Sequence, residues 1–150
     1  MIVFRIQKAK YQKDLSGIGS TLVAGRWNLA GGQPMLYTSS GRSLAILEIL
    51  AHLNGVKPPA LVLLTISIPD NAVTIVKESA LPKNWNKKGY FPEVQEWGMT
   101  WLKSNSSLAV SVPSIISKEP NVLINPGHPR FKEVKIQKIE DDFFIDDRLL

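Results

Sequence analysis

Apolar and polar positions divide the chain into many short extended runs and two helical ones. Residues Ile2 to Ile6 read as a first strand, and Met35 to Thr38 as a second short one. The run from Ala60 to Ile68 is the strongest strand pattern: it begins continuously apolar and ends in alternation, which predicts a central strand. Ala72 to Val76, Leu108 to Val112, Val122 to Ile124 and Val134 to Ile139 complete the extended set. Residues Gln7 to Gly25 are polar and show no clean period, so they predict a long surface segment of the kind that forms functional lids. Pro92 to Lys103 reads as a helix with Pro92 in its first turn and an apolar stripe of Val94, Trp97, Trp101 and Leu102.

The other helix carries the most informative residue. From Leu44 to Leu53 the sequence is almost wholly apolar, yet Glu48 stands inside it. At helical spacing Glu48 shares a face with Leu44, Leu47 and Ala51. A surface helix sets its charges opposite its apolar stripe, so this pattern predicts a helix inside the protein, holding a carboxylate. An enclosed carboxylate is costly unless it is paired or hydrogen-bonded. The residue alone leaves two explanations open: pairing with a buried arginine or with His52 one turn later, or a catalytic role. Ser39 or Ser40 fits the helix N-cap, and Gly55 its C-terminal end.

Short strands with two main helices in irregular order predict an α+β domain of mixed short-strand sheets rather than a doubly wound one. At 150 residues the chain forms one domain, residues 1–150. There is no cysteine, so no disulfide framework or thiol chemistry arises. The first residues are charged too soon for a signal peptide and no run is long enough for a membrane span, so the expected location is the cytoplasm. Lys and Arg number 18 against 13 Asp and Glu, for a net charge of +5. The basic residues are scattered, as on a solvated surface, and the end of the chain turns acidic at Glu140-Asp141-Asp142.

Motifs remove several chemistries. Two histidines and no cysteines offer little for a transition-metal site. Gly17-Ile18-Gly19 lacks the third glycine of a dinucleotide fingerprint, since Leu22 stands there. Neither a Gly-Lys-Ser/Thr phosphate loop nor a Gly-x-Ser-x-Gly elbow occurs. What remains is an arginine, a carboxylate, hydroxyls, an aromatic ring and backbone amides.

Gly25-Arg26-Trp27-Asn28, then Leu36-Tyr37-Thr38-Ser39 running into Ala45-Ile46-Leu47-Glu48, then Val112-Pro113-Ser114, then Asn121 to Pro126 with His128-Pro129, resemble in order and spacing the RES domain family. Asp147-Arg148-Leu149 is similar to the family's ending. The resemblance covers nearly the whole chain. It implies a fold like that of ADP-ribosyltransferase toxins, and a toxin that acts on NAD at the nicotinamide–ribose bond. It also implies a partner, an Xre-type helix-turn-helix antitoxin covering the active site in a hetero-oligomer, with no direct DNA binding by this chain and no membrane. NAD is then a substrate and no cofactor or metal is called for. By resemblance Arg26 is the family arginine, Glu48 its glutamate and Tyr37 an aromatic of its pocket. Ser114 matches the serine, with Ser111 and Ser117 nearby, and Asn125 matches a further binding position.

The chemistry of that bond is compatible with one carboxylate. Nicotinamide leaves as a neutral ring from a cationic one, so the second carboxyl that glycosidases use as a general acid is not needed. Glu48 would stabilise the developing ribose cation, Arg26 would hold the pyrophosphate or a ribose through its planar fork, and Tyr37 would stack on nicotinamide or support its ribose. Ser114 would donate to a phosphate or the carboxamide. The acceptor stays open between water, phosphate and a protein side chain, the last making the chain an ADP-ribosyltransferase. A different class, a basic RNA-binding or RNA-cleaving module, would use Lys83, Lys87, Lys88 and Arg130 on phosphates.

Overall fold

The computed structural model describes residues 1–150. Its strands are β1 Ile2–Lys8, β2 Leu36–Ser39, β3 Leu61–Ser67, β4 Val73–Ile75, β5 Ala109–Pro113, β6 Pro120–Ile124 and β7 Lys135–Glu140. They form one seven-stranded sheet in the order β4-β5-β6-β2-β1-β3-β7. Only β4 and β5 run parallel; every other neighbouring pair is antiparallel. The helices are α1 Gly19–Leu22, α2 Arg42–Leu53 and α3 Pro92–Ser104. This is the expected α+β class, with the separate short sheets joined into one. No helix is long and apolar enough to cross a membrane.

The sheet has a weak seam. β1 pairs with β3 along its whole length but meets β2 only through Phe4 opposite Ser39. Alternation sorts the side chains into two faces. On one face Val3, Leu36, Val62, Leu64, Ile66, Val122 and Ile124 join a common core. On the other, α3 packs Val94, Trp101 and Leu102 against Val110, Val112 and Leu123, while α2 packs Ala45 against Ile6, Leu61 and Leu63. The two helices therefore share a face, α2 over β1 and β2 and α3 over β5 and β6, leaving a cleft between them. Phe4, Ser39, Asn121 and Val112 follow one another in register across its floor.

Three expectations are corrected. β3 is covered on both faces and paired on both sides, but β2 holds the middle of the sheet. A continuous apolar run reports coverage, not rank among the strands. Helix α2 is not interior: Leu44 and Ala45 are buried, whereas Leu47 is 41% exposed and Glu48 is half-buried. Only its inner side meets β1 and β2, and no further layer covers the outer side. The α2 N-cap is Gly41, whose carbonyl takes the first helical bond from Ala45. Ser39 cannot cap because it belongs to β2 and spends its hydroxyl on Asn121. At the other end Asn54, in left-handed conformation, closes the helix just before Gly55.

Candidate active site

Glu48 projects from the second turn of α2 over the cleft floor. Its Oε1 accepts from Ser114 Oγ at 2.7 Å and from Asn121 Nδ2 at 2.7 Å. Oε2 takes no hydrogen bond from the protein. One oxygen is thus pinned and the other is presented. His52, the sequence's other suggested partner, is exposed and makes no bond to Glu48.

Ser114 sits where β5 turns back into β6 and is 1% exposed. Its amide donates to Glu119 O at 2.8 Å, and its Oγ accepts from Ile116 N at 3.0 Å, so the turn fixes the hydroxyl that reaches Glu48. This separates it from its neighbours. Ser111 lies on the opposite face of β5, in register with Val122. Ser117 is exposed and engages Glu119.

Arg26 comes from the connection before β2, and the segment is held from several sides. Gln95 Nε2 donates to Gly25 O at 2.9 Å, Tyr37 Oη accepts from Trp27 N at 3.2 Å, and Tyr37 Oη donates to Asn28 Oδ1 at 2.7 Å. Asn28 Nδ2 donates onward to Ser20 O and Val23 O, which ties down the polar segment upstream. Glycine at position 25 leaves room for the Tyr37–Asn28 bond: a Cβ would meet Asn28 Oδ1 at 2.6 Å and Tyr37 Oη at 2.8 Å, so that bond would have to shift. The Trp27 ring packs edge-on against Trp97 at 5.3 Å.

The Arg26 guanidinium donates through Nη1 to Trp85 O and Lys87 O, each at 2.9 Å, and lies 5.9 Å from the Tyr90 ring centroid. It forms no salt bridge with a carboxylate. Burial pulls it below the ordinary arginine range, and Tyr90, Glu48 and Tyr37 oppose that pull. An arginine stays charged under such perturbation, so the site keeps a cation whose Nε and Nη2 are not committed to the protein. Burial also pushes the Tyr37 phenol well above the tyrosine range, against the bond from Trp27. It is a neutral donor and a wall of the cleft.

The structure therefore gathers Arg26, Tyr37, Glu48 and Ser114. It does not gather Asn125. That residue follows the far end of β6, is 3% exposed, and spends its amide on Leu102 O, Asn105 Oδ1 and Gly127 N. It ties α3 to the sheet. In its place stands Asn121, at the near end of the same strand. The sequence names Asn121 only as part of a motif; its one signal is a polar side chain facing the same side of β6 as buried Leu123. Tyr90 and Gln95 gave no signal. A shallow hollow of about 590 Å³ beside Gly31, Gly32, Gln33, Met99 and Lys103 contains none of these groups. It offers one flexible cation and no carboxylate.

Comparison with known proteins defines the class to which this fold belongs. The RES domain family model matches residues 2–146. The chain is 35% identical to "Toxin Res" of Photorhabdus laumondii over all of this chain and 97% of that one. It is 36% identical to the "Prs ADP-ribosylating toxin" of a Sphingobium species, over 84% of this chain and 81% of that one. Its fold matches the Mycobacterium tuberculosis MbcT–MbcA toxin–antitoxin complex with a TM-score of 0.77 at 18% identity, covering 92% of this chain and 81% of that one. The chain belongs to the RES domain family of toxins.

Proposed function

We propose that the protein is the toxin of a toxin–antitoxin pair and cleaves the nicotinamide–ribose bond of NAD. One observation carries the reading: a carboxylate with one oxygen doubly held and the other free, across a cleft from an arginine that no acid neutralises. Arg26 binds the pyrophosphate through its uncommitted donors, and Tyr37 walls the nicotinamide end. The glycosidic electron pair leaves with the pyridine nitrogen, which becomes neutral. The ribose becomes oxocarbenium-like, and Glu48 Oε2 accepts from a ribose hydroxyl and stabilises the charge. The lone pair of an incoming nucleophile then closes on the anomeric carbon, with its proton passing to solvent. Water gives hydrolysis and phosphate gives phosphorolysis, and either depletes NAD.

Transfer to a protein side chain is the second reading, favoured by the relative named for ADP-ribosylation. The RNA-binding alternative is weakened, because Arg130 is already committed to Glu133 and Asn71. We also assign an Xre-type helix-turn-helix antitoxin as the cover of the cleft mouth. Leu47, Tyr90, Ile115 and Ile116, next in sequence or space to the site residues, stay 41%, 60%, 39% and 44% exposed, apolar area that a partner would bury.

The test is nicotinamide release from NAD, with and without phosphate. Glu48→Gln should lose at least ~100-fold in rate while melting like the wild type, and Arg26→Ala should lose binding as well. Release by Glu48→Gln at the wild-type rate refutes the mechanism.

A further inference from the structure

We infer that Ser39 and Asn121 form a relay that sets the working rotamer of Glu48; the inference rests on the NAD-cleaving reading above. Ser39 Oγ donates to Asn121 Oδ1 at 2.9 Å, and Asn121 Nδ2 donates to Glu48 Oε1 at 2.7 Å. The two residues face each other directly across β2 and β6. Ser39 is 4% exposed and also faces Phe4 across the seam.

The order of the relay follows from donor chemistry. A carboxylate only accepts, so the amide must turn its NH₂ group toward Glu48. Its carbonyl oxygen then points at Ser39, and the hydroxyl there donates to it. The opposite amide orientation would set two oxygens against each other. Ser39 therefore acts on Glu48 only through Asn121. Ser114 reaches the same Oε1 independently, from the turn after β5. Glu48 has two parallel supports, one a single hydroxyl on a turn, the other a two-step chain across the paired strands β2 and β6. Neither Ser39 nor Asn121 needs to touch substrate. They are positioning residues: they leave Oε2 aimed at the ribose when its charge develops.

Series and parallel arrangements differ in a double-mutant cycle. Steady-state nicotinamide release is measured for Ser39→Ala, Asn121→Ala, Ser114→Ala, the Ser39→Ala/Asn121→Ala double variant and the Ser114→Ala/Asn121→Ala double variant, with melting as a fold check. Asn121→Ala should lower kcat by about 10- to 100-fold, the worth of a hydrogen bond to a charged group, with KM within about 2-fold. Ser39→Ala should lose about 3- to 10-fold, and the Ser39/Asn121 double variant no more than Asn121→Ala alone. The Ser114/Asn121 double variant should fall below either of its single variants. Asn121→Asp keeps the size and the Ser39 contact but removes the donor, so it should lose at least as much as Asn121→Ala, and it covers the case in which the alanine variant misfolds. Multiplicative losses for Ser39 and Asn121, or a KM rise at unchanged kcat, overturn the relay. A wild type that releases no nicotinamide refutes the NAD reading instead. The relay then stands or falls on carbon-13 NMR of the Glu48 carboxyl: its signal should move in both Ser39→Ala and Asn121→Ala, and an unmoved signal in Ser39→Ala overturns it.

Discussion

Replacing Gly98 by alanine should damage the site from the far side of α3. Gly98 lies in the helix interior, where glycine costs about 1 kcal/mol relative to alanine, so local propensity favours the substitution. Packing opposes it. A Cβ at this position would stand 1.8 Å from Trp27 O and 2.8 Å from Trp27 C, with Met35 Cε at 3.3 Å. Real contacts of this kind do not close below 3.0 Å, so the Trp27 backbone must retreat by at least about 1.2 Å. The atoms struck are backbone, which cannot swing aside as a side-chain tip would. Overpacking of this kind costs up to about 3 kcal/mol, and about 1 returns from helix propensity, for a net loss of about 2 kcal/mol. For a domain of this size that lowers Tm by roughly 4–8 °C. The larger effect falls on chemistry, because Trp27 is bonded to Tyr37 and adjoins Arg26. A misplacement of about 1 Å can cost on the order of 100-fold in rate. The assay pairs thermal melting with nicotinamide release, using Gly19→Ala, where an added Cβ meets nothing within 4 Å, as the control. Gly98→Ala with wild-type melting and wild-type turnover would refute the claim that α3 positions the arginine segment.

Asn125→Ala removes three side-chain hydrogen bonds, one of them fully buried, and should destabilise the protein by about 2–3 kcal/mol, read by denaturant unfolding, while kcat in the folded fraction stays near wild type; a selective loss of kcat would return Asn125 to the site. Tyr37 predicts an alkaline effect. Its folded pKa is raised by burial, so its stabilising contribution is intact below the unfolded tyrosine value near 10 and is lost as pH climbs beyond it. Stability measured from pH 8 to 11 should therefore fall less steeply in Tyr37→Phe than in the wild type, and equal slopes would count against that burial.

Local pattern carried most of the fold. Each strand lies within a residue or two of its sequence-read position, and α3 begins at Pro92 because proline at the first turn costs no hydrogen bond. Errors arose where a long-range partner decided the outcome. Ser39 reads as a helix cap until β6, 82 residues on, claims its hydroxyl. Leu47 reads as core until the structure shows nothing above α2. Asn121 and Asn125 are equally polar and lie at opposite ends of β6, one inside the strand and one just beyond it, and only the tertiary packing puts one under Glu48 and the other under α3. The family resemblance supplied Arg26, Tyr37, Glu48 and Ser114; it did not supply the groups that hold them, because those contacts are set by tertiary geometry rather than by motif.

The seam between β1 and β2 lies under the helix that carries the acid. The pairing of β1 with β2 reduces to Phe4 and Ser39; α2 lies over these two strands and α3 over β5 and β6. Arg5 Nη1 bridges the gap by donating to Tyr37 O at 2.7 Å, a side chain doing what ladder bonds do elsewhere. Ser39 has a double duty at this point. Its backbone provides the link across the seam, and its hydroxyl begins the chain that fixes Glu48. A change that loosens the sheet at this position therefore disturbs the carboxylate as well, and the fold and the proposed chemistry depend on the same residue.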